Sequence, residues 1–218
     1  MTIGDTSNWD DFFQQNLIPA VLSHVITTWE KMPKPMPSTS EPKISFQLYC
    51  ALLRAKDRNT HAFRIGYENI EVDADLEKQK GRMDIVFFPP SNDEDIYLCL
   101  EAKRLNAVKR GKRESLAGKY VKEGMRRFVD GKYARFVRHG AMLAYVLDGN
   151  IDRAIKNVGN NIRKRLSELR MDENGSLIAS TIRPDDSRTK ETHHRRAREK
   201  AVFRIHHLFV AGEDIGPT

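Results

Sequence analysis

The stretch IYLCLEAKRL, residues 96–105, begins as a buried strand and then sets Glu101, Lys103 and Arg104 where the pattern calls for more apolar side chains. The side-chain period of a strand is two, so Glu101 and Lys103 leave one face about 7 Å apart along the chain, and Leu98, Leu100 and Ala102 leave the other, toward a core. Just upstream, RMDIVFF (82–88) is an apolar strand candidate broken by Asp84 in the same manner. Only the turn-rich PPSNDED lies between them, which predicts a meander. Asp84 then falls beside Glu101, and two carboxylates and one ammonium converge at one end of a sheet.

The neighbouring segments extend this frame. FRIGYENIEV (63–72) reads as a strand preceding the pair, separated from RMDIVFF by the polar DLEKQKG. Before it, a helix starts near Ser40 as N-cap and carries Ile44, Leu48, Ala51 and Leu52 on one face to about Lys56. After it, a weakly apolar helix is expected over 115–129, where Gly118 and Gly124 cost propensity. The buried strand AMLAYVL (141–147) follows, then a helix over 151–169 with Ile151, Ile155, Val158, Ile162 and Leu166 in one stripe. Residues 171–199 read as polar and loop-rich apart from a short strand near 177–182, and AVFRIHHLFV (201–210) closes the chain as a strand. At the amino end, residues 9–30 place Phe12, Phe13, Leu17, Val21, Leu22, Val25 and Trp29 at helical spacing, with Pro19 predicting a kink or break. KMPKPMPSTS then reads as a linker.

A chain of 218 residues can bury one substantial core. The expected organisation is one domain over 1–218: a helical extension (1–31), a Pro-rich linker (32–40), a core (41–147), and an added helix and strands (148–218). The class is α/β, a mixed central sheet flanked by helices. No apolar run approaches the roughly 20 residues of a membrane span, and the amino terminus lacks a secretory pattern, so the expectation is a cytoplasmic protein with no membrane partner. Cys50 and Cys99, each in an apolar stretch, read as reduced and buried rather than as zinc ligands.

The net charge of +7 is unevenly spread. Residues 101–139 hold 13 Lys/Arg against 4 Asp/Glu, whereas residues 1–100 hold 10 against 15. The basic half starts at the puzzling strand, and such a surface draws phosphate backbones. NAVKRGKRES (106–115) forms a basic loop whose Lys109, Arg110, Lys112 and Arg113 are candidate phosphate contacts. RRFVDGKYARFVRH (126–139) reads as a helix in which Arg126 and Arg127 add to that set, while Phe128, Tyr133 and Phe136 are core rather than base-stacking residues. THHRRAREK (192–200) reads as a basic surface, because adjacent histidines diverge in a regular element; His206 and His207 read as structural.

The chemistry of Asp84, Glu101 and Lys103 suits phosphodiester cleavage. Mg²⁺ takes oxygen ligands and is held by one or two carboxylates plus substrate phosphates, while a nearby Lys orients a nucleophile and offsets negative charge. MDI followed by LEAKRL resembles the Asp, then Glu-x-Lys signature of the PD-(D/E)XK nuclease superfamily, whose restriction-endonuclease-like core has the order αβββαβ. The segments between residues 41 and 147 read in that order. The resemblance implies a metal-dependent DNA endonuclease with Mg²⁺, or Mn²⁺ in its place, bound by Asp84, Glu101 and the backbone carbonyl of Ala102, with Lys103 assisting the attacking water. It implies a further acid, Glu41, from the first core helix, a place for which Glu68 and Glu71 compete, and polar helpers on the helix after Lys103, such as Tyr120, Glu123 and Arg126. Met83 stands where the family often has Pro. By the same resemblance the setting is anti-phage defence or restriction, with a homo-oligomer or a partner protein supplying targeting. No GxxxxGK[ST] is present, so any ATPase function comes from such a partner. The competing readings are a non-catalytic nucleic-acid-binding or scaffold subunit, and an RNA-directed nuclease.

Overall fold

The computed structural model describes residues 11–57, 62–73, 77–91, 93–109, 112–196 and 201–212. A π-helical turn, Phe13–Leu17, runs into the helix Ile18–Lys31, and together they form α1. Pro19 sits in the first turn of the second segment, where its missing N–H is harmless to the helix that follows but interrupts the ladder behind it. The helix runs on through Pro19 without the expected break, and the irregularity is the π-helical turn just before it. α2, Glu41–Ala55, starts at Ser40 with Pro42 in its first turn; the Ser40 side chain makes no capping hydrogen bond. Strands β1 (Arg64–Asp73), β2 (Lys78–Phe88) and β3 (Leu98–Leu105) follow. β3 leads through Asn106 into a small hairpin, β4 (Ala107–Lys109) and β5 (Lys112–Glu114). Helix α3 runs through Ala117–Lys119, a π-helical stretch Tyr120–Met125, and Arg126–Val129. β6 (His139–Val146), α4 (Ile151–Arg163), β7 (Ile178–Ala179), β8 (Thr189–Arg195) and β9 (Val202–Ala211) complete the order.

Seven strands form one mixed sheet in the order β1-β2-β3-β6-β9-β8-β7. β3, β6 and β9 are parallel and central, buried on both faces, which explains their near-continuous apolar runs. α1 and α2 cover one face: Trp29 stacks on Tyr145 at 5.2 Å and donates to the Ala211 carbonyl, and Ser45 bonds the Tyr145 hydroxyl. α3 and α4 cover the other. The side chains of α1 belong to the same buried cluster as the strands.

A chain of hydrogen bonds fixes α3 to the sheet. His194 Nδ1 bonds the Leu169 carbonyl, Thr192 Oγ1 bridges His194 Nε2 and His207 Nε2, and His207 Nδ1 meets the Tyr120 hydroxyl at 2.8 Å. Because a carbonyl only accepts, His194 Nδ1 must donate. Burial favours neutral imidazoles, and with both neutral Thr192 donates to His194, His207 donates to Thr192 and Tyr120 donates to His207. Burial pushes His194 down to about 4 and His207 down to about 3. At the far end of α3, buried Arg196 donates to the carbonyls of Phe128, Tyr133 and Ala134.

Five expectations are corrected here. THHRRAREK is a basic surface on one side only: Thr189–Arg195 is strand β8, whose His193 and Arg195 are exposed, while Thr192, His194 and Arg196 are buried with their polar groups paired inside, and residues 197–200 lie outside the described set. The same strand confines the loop-rich reading to 171–188, where β7 is the short strand expected. NAVKRGKRES is a hairpin rather than a loop. RRFVDGKYARFVRH stays helical only to Val129, since Asp130 caps the helix and Gly131 turns with φ 70°. Phe128 and Tyr133 are core as expected, but Phe136 is exposed, with the Arg135 guanidinium over its ring.

Candidate active site

Antiparallel pairing of β2 with β3 is short: Ile85, Val86 and Phe87 face Leu100, Cys99 and Leu98. Beyond this the strands part. β2 continues toward its start paired with β1, and β3 continues paired with β6, from Leu100↔Ala141 to Leu105↔Val146. Asp84 and Glu101 are the first residues past the split, one from each strand. At such a fork the N–H groups of β3 that pointed at β2 lose their partners, and unpaired buried N–H groups are costly. Carboxylates replace the missing strand: Ala102 N–H donates to Asp84 Oδ2 at 2.7 Å, and Arg104 N–H donates to Glu41 Oε2 at 2.9 Å. Glu41 reaches the fork because it opens the first turn of α2.

Lys103 fills the space between these acids. Its ammonium donates to Glu101 Oε1 at 2.8 Å, to Glu41 Oε1 at 3.0 Å and to the Ala102 carbonyl at 2.8 Å. Arg127, from the last turn of α3, donates to the same Glu101 Oε1 at 2.7 Å and to the Tyr133 hydroxyl at 3.0 Å, and Tyr133 donates onward to the Arg82 carbonyl of β2. Gly124 permits this closeness, since a Cβ there would collide with Met142 Cε and stand 3.5 Å from Lys103 Cγ. The glycine that weakens the helix is what lets α3 lie on β3.

Three carboxylates meet two cations here, with Glu101 fully buried. Burial, reinforced by Asp84, pushes the Glu101 carboxyl up to about 7 against the pull of Lys103 and Arg127. Burial likewise raises Asp84. For Lys103 burial works the other way, yet Glu101, Glu41 and Asp84 together hold its ammonium above the ordinary lysine value.

Most sequence candidates have a definite place, and Glu123 is exposed on α3. Asp84, Glu101, Lys103 and Glu41 share one cluster, with Ala102 contributing its N–H to Asp84 and its carbonyl to Lys103. Glu68 pairs with Arg82, and Glu71 accepts from Tyr97, so neither competes with Glu41. Tyr120 is committed to His207, and Arg126 to Asp130 and Glu168. Lys112 is exposed, and Arg113 leans on the buried Asp148. Arg110 and the side chain of Lys109 lie outside the described residues. Sequence reasoning missed the grip of Arg127 on Glu101 and the link made by Tyr133, because both depend on how α3 folds back over β3. Gly124 was the one signal of that close approach. It also missed Asp148, which accepts from Asn106, Asn150 and Arg153 and steadies the base of the β4–β5 hairpin.

The donor set has the chemistry of a hard divalent cation. Glu101 Oε2 is buried and has no hydrogen-bond partner, and Asp84 uses only Oδ2. Among the described residues no group of three or more His, Cys, Asp or Glu is spaced to hold a metal ion, so any such ion would rest on two carboxylates. Two carboxylates completed by water and phosphate oxygens are what Mg²⁺ accepts. No protein-family model, curated protein or solved structure matches this chain.

Proposed function

We propose that this protein hydrolyses phosphodiester bonds, DNA by preference, at the fork between β2 and β3, with Mg²⁺ or Mn²⁺ held by Asp84, Glu101 and the Ala102 carbonyl. The observation that carries this reading is the buried, partnerless Glu101 Oε2 beside Asp84 and the Lys103 ammonium. An acid left unsatisfied in the interior is costly unless a ligand completes it. The order α2-β1-β2-β3-α3-β6 supports a restriction-endonuclease-like core, into which the β4–β5 hairpin is inserted. The bound ion would supply Lewis-acid polarisation of a phosphoryl oxygen and a water of lowered pKa.

The chain's own residues supply the rest. Lys103 offsets developing negative charge with its ammonium, and it holds a water or a phosphate oxygen when one of its three present acceptors gives way. Glu41 keeps that ammonium in place and, through Arg104 N–H, ties α2 to the end of β3. Arg127 holds Glu101 in one orientation and adds positive charge where a phosphate would lie. Lys112 and Arg113 of the hairpin, with Arg126, extend the cationic surface for flanking phosphates, and from the sequence we assign Lys109 and Arg110 the same role. No helix among the described residues is long and apolar enough to cross a membrane, and we place the activity in the cytoplasm. Anti-phage defence or restriction is the setting we favour, with a second copy or an ATPase-bearing partner directing the cut.

The test is plasmid nicking with Mg²⁺ or Mn²⁺ by wild type, Lys103→Ala and Asp84→Ala, with DNA binding measured in parallel. Only the wild type is expected to cut, and all three are expected to bind. Equal cutting by the three would remove the site assignment. A second reading, a non-catalytic binding or scaffold subunit, is favoured by one observation: the Lys103 ammonium already satisfies Glu101 Oε1, Glu41 Oε1 and the Ala102 carbonyl. Binding without cutting by the wild type would establish it, and cutting of RNA alone would reassign the substrate.

A further inference from the structure

Helix α2 is apolar on two sides. Ile44, Leu48, Ala51 and Leu52 are buried against the sheet and α1, as an amphipathic helix requires. A second stripe at i, i+4, i+7 spacing, Phe46, Cys50 and Leu53, faces outward, with Phe46 51% and Leu53 45% exposed. A helix apolar nearly all round is ordinarily covered on both sides. Alongside this stripe, α1 and α2 enclose a groove of two connected lobes. One, of about 520 Å³, is lined by Thr28, Lys31, Met32, Pro33, Ala51 and Arg54 among others. The second, of about 310 Å³, shares four of these and adds Phe46 and Cys50.

The charges along the groove give the occupant its chemistry. Lys31 and Arg54 line it and make no ion pair among the described residues. The acid adjacent to Lys31 in sequence, Glu30, is taken by Arg188 at 2.8 Å. The groove therefore offers an apolar floor and two unopposed cations. Both lobes lie open to solvent, which suits a chain segment better than an enclosed small molecule.

We propose that the α1–α2 groove docks an amphipathic helix of a partner protein whose apolar stripe covers Phe46, Cys50 and Met32 and whose acidic residues meet Lys31 and Arg54. Helix-in-groove recognition of this kind is read by anchors one helical turn apart, with rim charges setting partner choice. The surface is independent of the nuclease reading, so binding can be measured without metal or DNA.

The probe is a fluorescein-labelled helical peptide with Leu at i, i+4 and i+7 flanked by Glu, compared with a twin carrying Lys for Glu, by fluorescence anisotropy against the full chain. The acidic peptide should bind saturably and the basic twin about tenfold more weakly. In the double variant Lys31→Glu, Arg54→Glu the preference should invert, and Phe46→Ser should weaken both peptides; all three side chains are exposed, and unchanged thermal unfolding would show the fold intact. Absent binding, equal binding of the twins, or a preference that survives the charge reversal would overturn the proposal. Sedimentation showing concentration-dependent self-association that Phe46→Ser abolishes would also overturn it, assigning the groove to a second copy of the chain.

Discussion

Replacing Lys103 by methionine keeps the aliphatic stem that Gly124 makes room for and deletes only the ammonium. The cluster then holds Asp84, Glu101 and Glu41 against Arg127 alone. Glu101 is fully buried and Lys103 only 8% exposed, so solvent does little to screen the loss. Removing one partner of a buried ion pair costs about 3 to 5 kcal/mol, because the remaining charge is left uncompensated. For a chain of this size that is a fall in Tm of about 6 to 20 °C. The penalty must depend on pH with a definite sign. The Glu101 carboxyl is already raised to about 7 in the folded protein, from an unfolded value of 4.5, and loss of Lys103 raises it further. A raised carboxyl favours the fold below its unfolded pKa, and that contribution is lost as pH rises through the folded value. The deficit of Lys103→Met should therefore be largest at pH 8 and smaller by about 1.4 kcal/mol near pH 5, because only the one pH unit between the folded value and pH 8 separates variant from wild type. Urea unfolding followed by the fluorescence of buried Trp29 measures both arms. Mg²⁺ should stabilise the variant by about 2.7 kcal/mol at a hundredfold excess over its dissociation constant, and the wild type by less at the same concentration. The added variant Glu101→Gln should abolish that rescue. A deficit that is flat in pH would refute the buried ion-pair account, and a rescue that survives Glu101→Gln would refute the placement of the ion.

Two other expectations concern the scaffold around the site. Neutral His194 and His207 have folded pKa values of about 4 and about 3 against 6.5 unfolded, so their stabilisation is complete above pH 6.5 and is lost as pH falls through these values; their ring proton resonances should stay fixed from pH 8 to pH 5, and titration near pH 6.5 would contradict the network. Asp148→Ala should destabilise the protein by about 2 to 3 kcal/mol, because buried Asn106 Nδ2 loses its close acceptor; an Asp148→Asn variant should recover most of this, and equal unfolding midpoints for the Ala variant and wild type would remove Asp148 from that role.

Much of this arrangement is legible in the chain. Period-two alternation broken by Asp84, Glu101 and Lys103 marks the two strands and the face they share, and it does so because side-chain direction in a strand is a local property. The apolar runs at 141–147 and 201–210 likewise announce buried central strands. Thr189–Arg195 was illegible for the opposite reason. Its Glu191, Thr192 and His194 look like surface until neighbours such as Thr181, His207 and Leu169 are brought to them, after which each is satisfied and buried, while His193 stays exposed. Phe136 erred the other way, since an aromatic in a basic segment carries no local sign of its exposure.

Sequence alone determined that Asp84, Glu101 and Lys103 share one side of a sheet, because strand periodicity and short connections act over a few residues. Only the tertiary structure decided that β2 and β3 part at those residues, that Glu41 comes 62 positions along the chain to hold Lys103, and that Arg127 descends from α3 onto Glu101. These are long-range choices: backbone N–H groups stranded at a fork, and a charge sealed in the interior, must find partners wherever the packed chain places them.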